Sequence, residues 1–470
     1  MIALKTAAGW LDLLPGTIGI EISNPYFRYD AVPGVTTYPF GLPMSPKNLR
    51  DLNFSHLVAA QGQVVPPVPV EFYLDGLLWR LGSLVYQDFQ PERRVLQYQF
   101  VSAAGDLATQ IEGLRLGTMD LGGELLFESQ PFNVDYALGT IRNVSFYGED
   151  SPPGYSGFLN GYANGDYTGD VAPQPRLVPL LRRALGAVGY SLTGDWLTSP
   201  EARQLVLYSD RVTGGLVNLA EHVPPEMSPG QLLVALQKLL GLGYDFSPAR
   251  REVRISRLRD IARNPEYVVR DPGRLTRSTP PLADGFTLEL SLEPQDELTK
   301  ALDTSWTRLV VGAGKTPIKT DAGTLVCDTP SGQLMPIVEM KGAGPSALLN
   351  EVSQVGLRLL FDRGLQPDLN TGALYPQLTN GREDGSPLAL AWAGANGLYA
   401  QCHQPWLDFL GRAGTEERTV PFRIDDLLAL DPARKEMLGP RKYLWEKVSL
   451  SVSTTTRLET ARFIYRPIRL

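Results

Sequence analysis

Cysteine and histidine are nearly absent from this chain. Its 470 residues include two cysteines, Cys327 and Cys402, and three histidines, His56, His222 and His403. Two cysteines so far apart build no disulfide framework and read as buried free thiols. The histidines have no metal-ligand spacing among themselves or to the cysteines, so no metal is expected. A basic excess is also lacking: 44 Lys and Arg stand against 51 Asp and Glu, for a net charge of −7. That balance argues against a dedicated nucleic-acid binder, whose surface carries a basic excess or stripe. No run of about 18 apolar residues occurs, which excludes a membrane-spanning helix. The start, Met1-Ile2-Ala3-Leu4-Lys5-Thr6, has neither a basic n-region nor a continuous apolar stretch, so no signal peptide is expected. These absences point to a soluble chain made in the cytoplasm, without stable membrane insertion.

Catalytic patterns are missing too. Val310-Val311-Gly312-Ala313-Gly314-Lys315-Thr316 ends like a phosphate-binding loop, but that loop needs a first glycine five positions before the second. Leu309 stands there, and Pro317 to Gly323 does not read as a helix. No Gly-x-Ser-x-Gly elbow is present. Cys402 and His403 are adjacent, so in a strand their side chains would point apart. Glu416-Glu417 and Asp425-Asp426 are candidates for a glycan-cleaving carboxylate pair by count alone. Neighbours in a strand face opposite sides, however, and Asp425-Asp426 suits the first turn of a short helix, Leu427 to Leu430. Asn160 to Asp166 with Asp170 is oxygen-rich but departs from calcium-loop spacing. Trp392 to Tyr399 and Gln404 to Leu410 could line a sugar or base platform, yet Trp, Leu and Phe at helical spacing read as core. The reading is a non-enzyme, with no catalytic, cofactor-binding or metal-binding residue and no cofactor.

Turns and short strands are what the chain has. Hydrophobic residues make up 43% and charged residues 20%, with 46 Gly and 38 Pro, which fits a folded, turn-rich chain. Val70 to Leu74, Leu77 to Leu81 and Val95 to Phe100 read as strands, with Asp75-Gly76 as a two-residue hairpin turn. Leu177 to Val188 carries apolar residues at helical spacing. Ser228-Pro229-Gly230-Gln231 is a capping box with proline at the first helical position. Leu232, Leu233, Leu236, Leu239 and Leu240 form one face, and Gly241 is placed to end the helix. Leu242 to Phe246 and the alternating Glu252 to Leu258 then predict a strand pair. A helix is expected over 346–361, and strands over Tyr443 to Val452 and Leu458 to Tyr465.

The fold class that follows is mixed and β-rich (α+β). An N-terminal arm plus β-domain spans 1–147, a turn-rich linker 148–174 and a small α+β module 175–265. A β-rich domain spans 266–345, and a C-terminal β-barrel-like domain with short helices spans 346–470. The two ends echo each other: Gly76 and Gly439 precede Trp79 and Trp445, then Val85 and Val448. Strands from Arg94 to Phe100 and from Arg457 to Phe463 follow. Such an echo predicts an internal duplication.

The densest local signal is the opening. Asn24-Pro25-Tyr26-Phe27 is followed by Tyr38-Pro39-Phe40 and Leu42-Pro43, with Asn48 beyond. Prolines fix their own φ and bias the preceding residue toward extended geometry. The segment therefore reads as an extended arm or edge strand lying across another surface. Removing 1–50 is expected to leave a folded core while weakening oligomers.

This opening resembles the N-terminus of tail proteins of Bacteroidetes-type phages and prophages. The block Leu357 to Gly364, Tyr375-Pro376, Trp406 to Phe409 and the ending from Asp426 through Tyr443 to Ser449 is similar to the same group. The helix at 231–240 with Gly243 to Phe246 is similar to a module of tail-hub (baseplate hub) proteins. The resemblance implies two β-barrel-like, tail-tube-related domains and a homotrimer at the distal end of a tail tube. Its pseudo-sixfold ring would adapt the tube to a spike or fibre. Implied partners are further copies of itself, distal-tail or tail-tube proteins and spike or fibre proteins, with DNA passing unbound. The implied place is the virion tail tip. A distal-tail adaptor, a receptor-binding component and a carbohydrate-active enzyme on β-domains are the alternatives.

Overall fold

The structure, a computed structural model, describes residues 2–28, 35–102, 111–126, 133–248, 250–281, 284–300, 302, 304–345, 347–453 and 460–468. A 14-stranded sheet built from both ends of the chain, with Tyr267–Arg270 and Arg274–Thr279 added from its middle, dominates it. Two units of the same topology lie within that sheet. The N-terminal unit runs Phe40–Pro43, helices Pro46–Asp51 and Ser55–Ala60, Val68–Leu74, Leu77–Gln90 and Val95–Ser102. The C-terminal unit runs Thr415–Pro421, helix Ile424–Leu428, Lys435–Leu438, Arg441–Ser453 and Thr460–Ile468. In both, the second strand pairs with the third, the third with the fourth, and the fourth with the first, all antiparallel.

The expected echo is therefore present as topology, with some of its residue matches shifted. Leu84 faces Phe100 and Val448 faces Phe463, so Val448 corresponds to Leu84 rather than to Val85. Counting from the turn-closing pairs Leu74–Leu77 and Leu438–Arg441, the counterpart of Trp79 is Tyr443, not Trp445. Gly76 and Gly439 both sit in the hairpin turns at positive φ, 80° and 60°. Asp75 is also left-handed, at 48°, as the tight turn requires of both central residues. Arg457, Leu458 and Glu459 lie outside the described residues.

One strand joins the units. Thr17–Ser23 pairs antiparallel with Val35–Thr37 on one side and with Arg441–Ser453 on the other. Strict alternation makes this possible: Ile18, Ile20 and Ile22 are buried while Gly19, Glu21 and Ser23 are half-exposed, so a single register serves both neighbours. A continuous core beneath the sheet contains Leu4, Phe72, Leu96 and Phe100 from one end of the chain and Val448, Phe463 and Tyr465 from the other.

The α+β module forms a second core. Helices Leu177–Gly186 and Pro229–Leu240 pack with the antiparallel pair Leu242–Ser247 and Glu252–Arg257. The capping box forms as expected: Ser228 Oγ accepts from Gln231 N at 3.1 Å, and Gln231 Oε1 accepts from Ser228 N at 2.8 Å. Gly241 closes the helix at φ 61°. Leu258 opens a further helix, Leu258–Arg263, rather than ending a strand.

The helix expected over 346–361 does not form; residue 346 lies outside the described residues. Described residues 347–356 are turn and loop, and Leu357–Pro367 is a strand whose first six residues are all buried. A segment covered on both faces reads as a continuous apolar run, which periodicity alone cannot separate from a buried helix. Cys402 and His403 lie in a helical turn, Tyr399–His403, not in a strand.

Candidate assembly surface

The opening segment is woven into the subunit. Asn24 is buried and holds three main-chain groups: its amide nitrogen donates to Pro432 O at 2.9 Å and Trp445 O at 2.8 Å, and its Oδ1 accepts from Tyr26 N at 3.0 Å. Pro25 starts the single turn Pro25–Phe27 that this cap stabilises. Tyr26 is fully buried against the module. Phe27 packs on Trp406 and Phe409 at ring separations of 5.2 and 6.1 Å, with the Arg466 guanidinium 5.8 Å from its centroid. Gln237, from the capped helix, donates to Arg28 O at 2.7 Å.

The second cluster divides by side. Phe40 and Leu42 face the core and pair with Tyr98 and Leu96. Pro43 O accepts from Asn48 Nδ2 at 2.9 Å. Tyr38 and Pro39 are exposed. The Tyr38 ring lies over Gly19, where a Cβ would come within 2.6 Å of it, and its hydroxyl donates to Glu21 at 2.9 Å. Of the nine residues singled out, then, eight are engaged within the subunit, Tyr38 from an exposed position, and Tyr38 and Pro39 are the two that remain at the surface. Proline and aromatic content marked the segment as extended, but could not indicate that its partner surface belongs to the same chain.

The outward face around Tyr38 is polar and paired. Lys447 Nζ is 2.7 Å from Glu21, and this pairing with the Tyr38 hydrogen bond offsets partial burial to hold the Glu21 carboxyl below its usual range. Arg462 pairs with Glu417 and Arg466 with Glu446 at 2.6 Å, while Arg418 pairs with Glu416 at 2.7 Å on the opposite side of its strand, beside buried Tyr443. Glu416 and Glu417 thus point to different arginines and do not form a carboxylate pair. Asp426 Oδ2 accepts from Arg423 N at 2.8 Å at the start of Ile424–Leu428, as its helix-start reading requires.

The sheet has open ends. Arg274–Thr279 pairs only with Thr415–Pro421 among the described residues, and most of its side chains are exposed. At the other end lie Ile2–Thr6 and the two-residue strand Gly9–Trp10, with Trp10 half-exposed.

The chemistry-bearing residues are packed inside. Cys402 is buried, and desolvation pushes its thiol up to about 12; Cys327 is pushed higher still by the same cause. Both thiols stay protonated, the opposite of what a nucleophile needs. His403 Nε2 donates to Leu239 O at 3.0 Å, and burial holds its pKa down at about 4. Ser209 Oγ lies 3.0 Å from His222 Nδ1, a contact that sequence reasoning missed, but both residues are 2% exposed and burial holds His222 at about 3. After Val311 the chain turns through Gly312–Gly314 into a strand, Thr316–Lys319, where a phosphate-binding loop would start a helix. Among the described residues no group of three or more His, Cys, Asp or Glu could hold a metal, and no helix is long and apolar enough to cross a membrane.

No protein-family model matches the chain, and no curated protein does. Solved structures do align with it. The tail protein from Neisseria meningitidis MC58 covers 99% of this chain and 95% of its own, at 9% identity and a TM-score of 0.39. The 43 kDa tail protein of prophage MuSo2 from Shewanella oneidensis covers 98% and 97%, at 10% identity and a TM-score of 0.38. The E. coli c3393 protein is a type VI secretion component with structural similarity to the T4 tail proteins gp27 and gp5. It covers 99% of this chain and 77% of its own, at 9% identity and a TM-score of 0.33. Overlaps of this quality transfer no residue role and no activity to this chain.

Proposed function

We propose that this chain is a structural tail-hub protein, three copies of which close into a ring at the distal end of a phage-type tail tube. One observation carries the reading: two units of the same topology are fused in a single sheet whose end strands each keep one edge unpaired among the described residues. An open sheet with exposed edges pairs with further strands unless something covers them. Head-to-tail pairing of Arg274–Thr279 with the opposite end of the next copy closes a ring when the rotation per subunit allows it. Two units per chain and three chains give six equivalent positions, which suits a part that matches a sixfold tube on one side and a threefold spike or fibre on the other. The alternating ion pairs around Glu21, Lys447, Glu417 and Arg462 leave a polar sheet face without an unbalanced basic field, past which DNA moves without adhering. The role is structural, the partners are tube and spike or fibre proteins, and the place is the tail tip.

Negative-stain class averages of the purified chain, alone and with its tube protein, test this. Rings with threefold or pseudo-sixfold symmetry around a central hole are the expected result. Isolated subunits under both conditions overturn the proposal.

A further inference from the structure

The charge of this chain is unevenly divided. Residues 175–265 hold twelve Lys and Arg against eight Asp and Glu, net +4, which leaves 32 against 43 elsewhere, net −11. Half of the module's basic residues are arginines within one strand–helix stretch: Arg250, Arg251, Arg254, Arg257, Arg259 and Arg263. Arg257 is tied to Glu201 and Asp260, and Arg259 donates to Gln401 O. Arg250, Arg251, Arg254 and Arg263 are exposed. Arg254 and Arg263 stand at the rim of a groove of about 460 Å³, floored by Trp196, Ile255 and Ile261.

The floor decides what kind of anion fits. Asp195 and Asp260 also line the groove, exposed beside the arginines, and carboxylates there repel a phosphate backbone, which carries a charge at every repeat. An apolar floor with an indole, under a rim where the guanidinium groups of Arg254 and Arg263 stand among mixed charges, suits a polypeptide surface that brings a few carboxylates to those arginines. This chain carries such a surface. Glu149, Asp150 and Glu351 are all exposed. They flank backbone that is tied together, Gly342 N donating to Phe146 O at 2.9 Å and Asn350 N to Gly342 O at 3.1 Å. With Lys341 counted, that patch carries three acids against one base.

We infer that the arginine-rimmed groove of the module docks the acidic patch of Glu149, Asp150 and Glu351 on a second copy of this chain. The groove and the patch are different surfaces, so the contact is head-to-tail and adds a second clamp to a ring closed by strand edges. The inference rests on the reading that copies of this chain assemble.

Charge swapping tests it. The full chain, the R254E/R263E variant, the E149K/D150K/E351K variant and a mixture of the two variants are compared by sedimentation velocity and class averages at low and high salt. All substituted positions are exposed, and circular dichroism melts verify that each variant folds. The expected result is loss of assembly in each variant alone, at least a tenfold rise in the assembly midpoint, and recovery in the mixture. Assembly of the wild type should weaken with salt, because exposed charge pairs are screened. Variants that assemble like the wild type overturn the inference and leave the ring reading standing. Variants that fail singly and fail together also overturn the pairing, and an R254E/R263E variant that loses DNA retention instead assigns the groove to nucleic acid. A wild type that stays monomeric, with and without tube protein, overturns both readings.

Discussion

Tyr26, in the opening segment, lays its fully buried ring over the backbone of Gly243 in the first strand of the α+β module. A Cβ on Gly243 would collide with that ring and come within 2.9 Å of Leu258 Cδ2. Gly243→Ala is therefore expected to cost about 1–3 kcal/mol through overpacking. Tyr26→Ala is expected to cost about 3–5 kcal/mol, the range for removing a large buried aromatic ring. Urea denaturation midpoints check both. A variant pair within a few tenths of the wild type would show that the segment does not pin the module to the sheet.

A buried ion pair holds the middle of the chain. Arg358 lies 3.2 Å from Glu293 with side chains 2% and 1% exposed, and Glu293 also accepts from Gly356 N at 2.9 Å. Removing one charge strands the other without solvent, so Arg358→Met or Glu293→Gln alone should cost about 3–5 kcal/mol. Arg358→Met with Glu293→Leu should cost less than the sum of the single changes. A double-mutant cycle by denaturant titration measures the difference, and strict additivity would refute the coupling.

Acid should weaken the fold through its histidines. Burial lowers His222 to about 3 and His403 to about 4, from an ordinary value near 6.5. Between those values and 6.5 the unfolded chain binds more protons than the folded one, so stability falls as pH falls through that window. Asp210 acts in the opposite sense. Desolvation raises its carboxyl from 3.8 to about 6, so its contribution is complete below 3.8 and lost as pH rises through 6. Asp245, Glu383 and Glu436, also raised by burial, act with Asp210. Glu21, Glu201 and Asp368, held low by their partners, act with the two histidines, and the melting temperature should fall from pH 6.5 to pH 4. His222→Gln with His403→Gln should flatten that slope, while Asp210→Asn should steepen it. Thermal melts across the pH range decide between these outcomes.

Deleting residues 1–50 tests where the opening segment belongs. The structure reverses the expectation that a folded core survives. Thr17–Ser23 pairs with Arg441–Ser453 along its whole length, from Thr17–Ser453 to Ser23–Lys447, and carries buried Ile18, Ile20 and Ile22. Its loss uncovers an interior strand edge and an apolar core, so the truncated chain should appear in the insoluble fraction. Tyr38→Ser changes an exposed side chain and should leave soluble yield and melting temperature near the wild type. A soluble truncated chain with native circular dichroism would sink this account.

Much of the local structure could be read directly from the residues. The Ser228–Gln231 capping box, the Gly241 stop, the Asp75-Gly76 turn and the alternating strands near both ends all rest on interactions a few residues long. The same reading failed over 346–361: described residues 347–356 are turn and loop, and from Leu357 the chain is a strand buried on both faces, with no polar face to reveal its period. The candidate surface was half legible. Prolines and aromatics marked residues 24–43 as special, but burial of Asn24 and Tyr26 depends on Trp445, Pro432 and Gly243, which lie far along the chain.

Pattern and composition by themselves determined, for the capped helix and the alternating strands near both ends, which residues face a core, where the chain turns and which side is polar. The tertiary structure alone decided that the two ends share one sheet through Thr17–Ser23, and that its outer strands keep one open edge among the described residues. Alternation specifies a buried face but not the neighbouring strand. Any strand with matching faces satisfies the same main-chain hydrogen bonds, so the choice among partners falls to the packing of the whole core.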